Sequence, residues 1–145
     1  MNTNIPDIYN SLQEIALHFG NHGINGECCG DLSLIEFMAL KKVNEKNSLS
    51  IQEIGAAINF TKSGATRIID RLESKGYVIR ERSLEDGRIC CVTVTADGKK
   101  TISNIMDKYT TYLNEVLKDL DPQMVDKIKD ALDVLVKSVQ LHEFI

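Results

Sequence analysis

Between Ser50 and Thr95 the hydrophobic period switches from helical to alternating, and the residues around that switch leave few folds open. Ser50 precedes IQEIGAAI, with Glu53 three residues on. Such a pair caps a helix reciprocally, hydroxyl and carboxylate each accepting from an unsatisfied backbone N–H. The helix is short, Ile51 to about Ile58, and Asn59 and Phe60 make the turn. Thr61 can cap the next helix, Lys62 to about Ser74, whose inward face is Ala65, Ile68, Ile69 and Leu72. Gly76 stops it, as glycine does just past a helix end. Tyr77 to Arg82 and Arg88 to Thr95 then have strand character around a turn at Asp86-Gly87, which predicts a hairpin. Short helix, tight turn, second helix and hairpin is the order of a winged helix-turn-helix.

The flanks are helical. Ile5, Ile8, Tyr9, Leu12, Ile15, Ala16 and Phe19 form one apolar stripe that ends at Gly20. Gly20 to Gly30 carries four glycines and is expected to be loop or broken helix. A helix then starts near Leu32, capped by Asp31 or Ser33, and runs to about Val43, before the polar turn NEKNS. After the hairpin, a stripe from Ile102 to Leu120 is broken and restarted at Asp121-Pro122, and continues to Val139. The expected fold class is mainly α with a small β-hairpin wing: a winged helix-turn-helix lobe plus a helical dimerisation region. The lobe is assigned to 31–97 and the dimerisation region to 1–30 and 98–145, within one domain. The first and last helices carry more apolar surface than one small domain can bury, which favours a two-fold dimer.

Charge places the working surface. The chain of 145 residues has a net charge of −4, which argues against non-specific coating of nucleic acid. From Lys62 to Lys100, however, nine basic residues outnumber six acids, and every arginine of the chain lies in that stretch. A solvated helix face explains such a run equally well from charge alone. No apolar run is long enough to span a bilayer, and no secretory signal is visible, so a cytoplasmic protein without a membrane partner is expected.

A helix-turn-helix lays its second helix in the DNA major groove, where each base pair shows a distinct donor and acceptor pattern. Thr61, Lys62, Ser63, Thr66 and Arg67 fall in the N-terminal half of the candidate recognition helix, where base-reading residues usually sit. Arg71 and Lys75 can reach flanking phosphates. The hairpin holds Arg80, Arg82 and Arg88, and a wing arginine can enter the minor groove. Asp86, two residues before Arg88, can orient that guanidinium. The alternative is a plain Asp86-Gly87 turn with a solvated Arg88.

Leu32 to Lys100 resembles the MarR family of bacterial transcriptional regulators. The resemblance is carried by Ser63 to Lys75, Gly76-Tyr77-Val78, Asp86-x-Arg88 and Val94-Thr95-x-x-Gly98. It covers the flanking helices by pattern only. It implies an obligate homodimer whose terminal helices interlock and whose two winged lobes reach successive major grooves of a pseudo-palindromic operator. It also implies a repressor released by an effector. Gly87 departs from the family, which often has a second arginine there, and weakens the expected wing contact.

The effector is the open question. Cys28-Cys29 and Cys90-Cys91 are adjacent pairs and not CxxC motifs, which excludes a zinc ribbon or a thioredoxin motif. A cytoplasmic setting argues against structural disulfides. Cys28 and Cys29, with His18 or His22, are candidates for sensing Zn²⁺ or another thiophilic metal, or for thiol oxidation. The plain alternative is buried cysteine that behaves as a small apolar residue. Cys90 and Cys91 alternate across a strand, so at most one can join a shared site. Phe19, Phe37, Met38, Tyr109 and Tyr112 are candidates to line an aromatic-ligand pocket, although their spacing also suits plain core. No cofactor is required. Two other function classes stay open: a winged helix used only for protein contacts, and an enzyme with a cysteine nucleophile. The second lacks a recognisable Asn or Asp to orient a Cys–His pair.

Overall fold

The computed structural model describes residues 4–20, 27–82 and 89–142, with positions 27, 28, 89 and 90 described by their backbone alone. In chain order the elements are α1 (Ile5–Gly20), β1 (Glu27–Cys29), β2 (Leu32–Ser33), α2 (Leu34–Lys46), α3 (Ile51–Ala57), α4 (Lys62–Ser74), β3 (Val78–Arg82), β4 (Ile89–Val94), α5 (Ala96–Leu117) and α6 (Pro122–Leu141). Two compact units are distinguished, Met1–Met106 and Asp107–Ile145.

Helices α2, α3 and α4 each start where side-chain chemistry satisfies free N–H groups. Ser50 accepts from the Glu53 amide at 3.0 Å and Glu53 accepts from the Ser50 amide at 3.3 Å, the capping box expected from the sequence. A second such box, Ser33 with Glu36, opens α2 and selects Ser33 over Asp31 as its cap. Thr61 accepts from the Gly64 amide at 3.1 Å and opens α4. The turn between α3 and α4 needs Asn59 at φ 60, a left-handed conformation asparagine tolerates better than most residues. Gly76 at φ 82 ends α4 as predicted.

The core lies among α2, α3, α4 and the wing. Leu40, Val43, Ile54, Ala65, Ile69 and Leu72 are wholly buried. All four residues predicted for the inward face of α4 are in it. Strands β3 and β4 pair antiparallel, with Val78 opposite Val94 and Arg80 opposite Val92. Leu49 adds a bridge to Val92, with N–H···O contacts of 3.2 and 2.7 Å, so the segment before α3 flanks the wing. That short edge carries no sequence period of its own.

Two local expectations are corrected. The polar stretch after Val43 does not turn at once: α2 continues to Lys46, and Asn47 at φ 66 ends it. Part of the glycine-rich Gly20–Gly30 stretch is strand, because β1 pairs antiparallel with β2 across a turn at Gly30 (φ 67) and Asp31. Strands this short show no alternation to read.

In the second unit Asp121 accepts from the Gln123 amide at 2.8 Å and Pro122 occupies the first turn of α6. No residue of α6 is buried. Among the described residues no helix is long and apolar enough to cross a membrane.

Candidate nucleic-acid interface

Helix α4 has two faces. Ala65, Ile68, Ile69 and Leu72 fill the core, while Ser63, Arg67, Asp70, Arg71 and Ser74 lie opposite them and are exposed. At 3.6 residues per turn these five form one stripe. Burial of the apolar face fixes which side chains can point outward, so the exposed stripe is set by the packing.

The sequence-predicted site residues separate by what their polar groups already do. Ser63, Arg67 and Arg71 are exposed on the outer stripe. Lys62 is exposed in the first turn. The Thr61 hydroxyl oxygen is committed to the cap, which leaves its O–H to donate outward. Thr66 is half-buried and donates to the Lys62 carbonyl at 2.8 Å, so it offers only an acceptor. Arg82 is exposed at the end of β3. Asp86 and Arg88 lie outside the described residues, as does Gly87.

Lys75 is exposed at the end of α4, and its ammonium already has partners. Its Nζ donates to the Asp31 carbonyl and stands 3.6 Å from the Glu36 carboxylate, which is buried. A buried carboxylate needs a cation and donors, and Lys75 supplies the cation here. Beside it the Tyr77 hydroxyl donates to the Asp31 carboxylate, 3.1 Å from either oxygen. Burial raises the Tyr77 pKa above its usual value; a hydrogen bond from Thr101 opposes this, and the Asp31 carboxylate adds to it.

Arg80 was not expected to be a central residue. It donates through Nη1 to Glu73 and through Nη2 to Asp70, each at 2.5 Å, and so joins the wing to α4. The signal was present in the strand period. Val78, Arg80 and Arg82 share one face, and Val78 is buried, so Arg80 must point toward the helix. An arginine there requires acids, and α4 carries two. Arg80 also lines a groove of about 380 Å³ with Ser50, Gln52, Lys62, Thr66 and Cys91.

The candidate effector residues are only partly visible. Cys29 is buried and disulfide-bonded, contrary to the expectation drawn from the compartment. Sulfur proximity decides bonding, and sequence spacing leaves that open. Cys91 is half-buried and is a thiol. His18 is exposed near the end of α1. His22 and the side chain of Cys28 lie outside the described residues. Among the described residues no three His, Cys, Asp or Glu side chains cluster as metal ligands would. Of the four candidate pocket aromatics and Met38, Phe37 is core, Phe19 is half-buried and Met38 is exposed. Tyr109 and Tyr112 belong to the second unit.

A capped helix with one apolar face, a short helix before it and a paired wing behind it define a winged helix-turn-helix protein. Residues 32–90 match the model of the MarR family. It is 34% identical over 113 residues to the HTH-type transcriptional regulator PapX of Escherichia coli, covering 78% of this chain and 63% of PapX. It is 25% identical over 126 residues to the HTH-type transcriptional regulator MhqR of Bacillus subtilis, covering 86% of this chain and 81% of MhqR. The fold is similar to that of a MarR family protein from Bacillus stearothermophilus, with a TM-score of 0.82 at 20% identity over 97% of this chain and 99% of that one. It is also similar to Streptococcus pneumoniae FabT, solved in complex with DNA, with a TM-score of 0.69 at 17% identity over 94% of this chain and 92% of FabT.

Proposed function

We propose that this chain is a sequence-specific DNA-binding transcriptional regulator, acting as a homodimeric repressor that an effector releases. The reading is carried by the exposed stripe of α4, where Ser63, Arg67 and Arg71 stand opposite a buried apolar face. The major groove admits one α-helix, and an arginine on it can pair bidentately with guanine O6 and N7. We assign that role to Arg67, phosphate contacts to Lys62 and Arg71, and supporting polar contacts to Thr61, Ser63 and Thr66. Arg82, Asp86 and Arg88 are assigned to the wing contact. Relatives named as transcriptional regulators, and a structural neighbour solved with DNA, support the same reading.

The dimer is assigned to the apolar surfaces of α1, α5 and α6. Tyr9 and Leu17 on α1 are 60% and 59% exposed, and Val134, Val139 and Leu141 on α6 are 66%, 62% and 83% exposed. A second copy covers such surface in a two-fold dimer, which also spaces two recognition helices for two half-sites.

The effector reading follows Cys29. Reduction of its disulfide takes two electrons and two protons, which a dithiol supplies, and releases two thiols. Zn²⁺ or another thiophilic metal is the alternative effector, with Cys28, Cys29, His18 and His22 as ligand candidates. It requires the reduced state, because a metal takes the thiolate and not the disulfide.

The test is selection of duplexes from a random pool, followed by affinity measured against salt. Binding that falls with a log–log slope of about −0.9 per neutralised phosphate supports the reading. Absence of any selected duplex, or affinity indifferent to salt, rejects it. Repeating the titration with dithiothreitol, and then with Zn²⁺ added, separates the two effector readings.

A further inference from the structure

We propose that Arg80 is a positioning residue for DNA binding: it holds the Asp70 and Glu73 carboxylates, so that the outer stripe of α4 meets DNA with both acids neutralised. The inference rests on the DNA-binding reading above. Asp70 lies seven residues after Ser63 and three after Arg67, which puts it on the same stripe as the residues assigned to base and phosphate contacts. Glu73 follows Asp70 by three residues on the wing side. Their side chains are 59% and 42% exposed, so neither charge is removed by burial. A bare carboxylate at that position would face the phosphates of the groove wall, and like charges there are strongly disfavoured.

Arg80 answers both acids at once. Its side chain is 17% exposed, and its guanidinium donates 2.5 Å bonds from Nη1 to Glu73 and from Nη2 to Asp70. Two separate nitrogens serve two separate carboxylates. A planar fork can do this, whereas a lysine ammonium approaches as a single point charge. Because Arg80 belongs to β3, opposite Val92, the same contact fixes the wing strand against α4. Ion pairs between acids this exposed add little to folding stability, so the arrangement points to a role at the surface. Arg80 is thereby distinguished from Arg67 and Arg71, which are exposed on the stripe and assigned to DNA itself.

The test uses the full chain and a labelled duplex that the wild-type protein has selected from a random pool. Arg80→Met is expected to weaken binding by about tenfold or more, with an unchanged circular dichroism spectrum. Adding Asp70→Asn and Glu73→Gln to Arg80→Met is expected to restore affinity to near the wild-type value. If Arg80→Met does not fold, Arg80→Lys carries the test: weakened binding, restored by Glu73→Gln. Wild-type affinity in Arg80→Met overturns the inference. So does weakened binding that the neutral partners fail to restore, which would make Arg80 a direct DNA contact. A wild-type protein that selects no duplex rejects the DNA-binding reading itself, and does so before any variant is compared.

Discussion

Lys75, the C-cap residue of α4, donates through Nζ to the backbone carbonyl of Asp31, 44 positions earlier in the chain. Asp31 stands two residues after the disulfide-bonded Cys29 and also accepts from the Tyr77 hydroxyl. The hairpin that carries Cys29 is therefore tied to the end of the helix proposed to read DNA. A change at the sulfur that shifts this hairpin would displace the carbonyl Lys75 holds.

The first prediction follows from that tie. If reduction is the effector event, oxidised and reduced protein should differ in DNA affinity, within the roughly 5- to 150-fold span usual for coupled sites. The double variant Lys75→Met, Tyr77→Phe should bring the two affinities together. Fluorescence anisotropy with and without dithiothreitol measures both. A ratio as large in the variant as in wild type would show that the signal does not pass through Asp31.

Tyr77 alone gives a second prediction, with a sign in pH. Its phenol pKa lies above the usual 10.0, chiefly through burial, with Asp31 adding to the rise and the Thr101 hydrogen bond opposing it. An acid whose folded pKa is raised favours its neutral form in the folded state. That stability is present below pH 10.0 and is lost as pH rises through the higher folded value. Tyr77→Phe should lose about 0.5–1.5 kcal/mol at neutral pH and should fall less steeply than wild type above pH 10. Urea unfolding at pH 7, 9 and 11 checks this. Parallel decline of the two proteins would remove Tyr77 as the titrating group.

Gly98 is fixed by a close approach. A Cβ there would collide with the Tyr77 carbonyl oxygen and come within 2.6 Å of Val94 Cγ1. Its amide donates to Thr95 Oγ1 at 3.0 Å, and that hydroxyl donates to the Gly76 carbonyl at 2.6 Å. The start of α5 thus closes onto the turn that ends α4. Gly98→Ala should destabilise by about 1–3 kcal/mol, because backbone cannot move aside as a side-chain tip can. Thermal melting measures the loss, and a melting temperature equal to wild type would mean that the turn has room to relax.

What could be read from the sequence was local or periodic. The Ser50–Glu53 box, the inward face of α4, the Gly76 stop and the strands of the wing all follow from spacing within a few residues. The less legible features join distant segments. Lys75 gives no sign that Glu36 and Asp31 fold beside it. Leu49 gives no sign that it pairs with Val92. Cys29 gives no sign of its disulfide. Arg80 falls between these cases: alternation with Val78 marks its direction, but only the register of β3 on α4 brings it to Asp70 and Glu73.

The last prediction concerns assembly. No residue of α6 is buried, yet Leu132, Val136 and Val139 recur at spacings of four and three and are 45%, 53% and 62% exposed. An amphipathic helix with an uncovered apolar stripe needs a partner surface, and a second copy supplies the same stripe by symmetry. Val136→Asp adds a charge that water accepts readily in a lone chain and that an apolar interface rejects. Sedimentation equilibrium should find wild type at twice 16.2 kDa and the variant at 16.2 kDa. With one half-site engaged instead of two, affinity for a palindromic duplex should drop by about 10²- to 10⁴-fold, while the far-ultraviolet circular dichroism of the chain persists. A variant that keeps the doubled mass and the wild-type affinity would place the dimer contact elsewhere than on this face of α6.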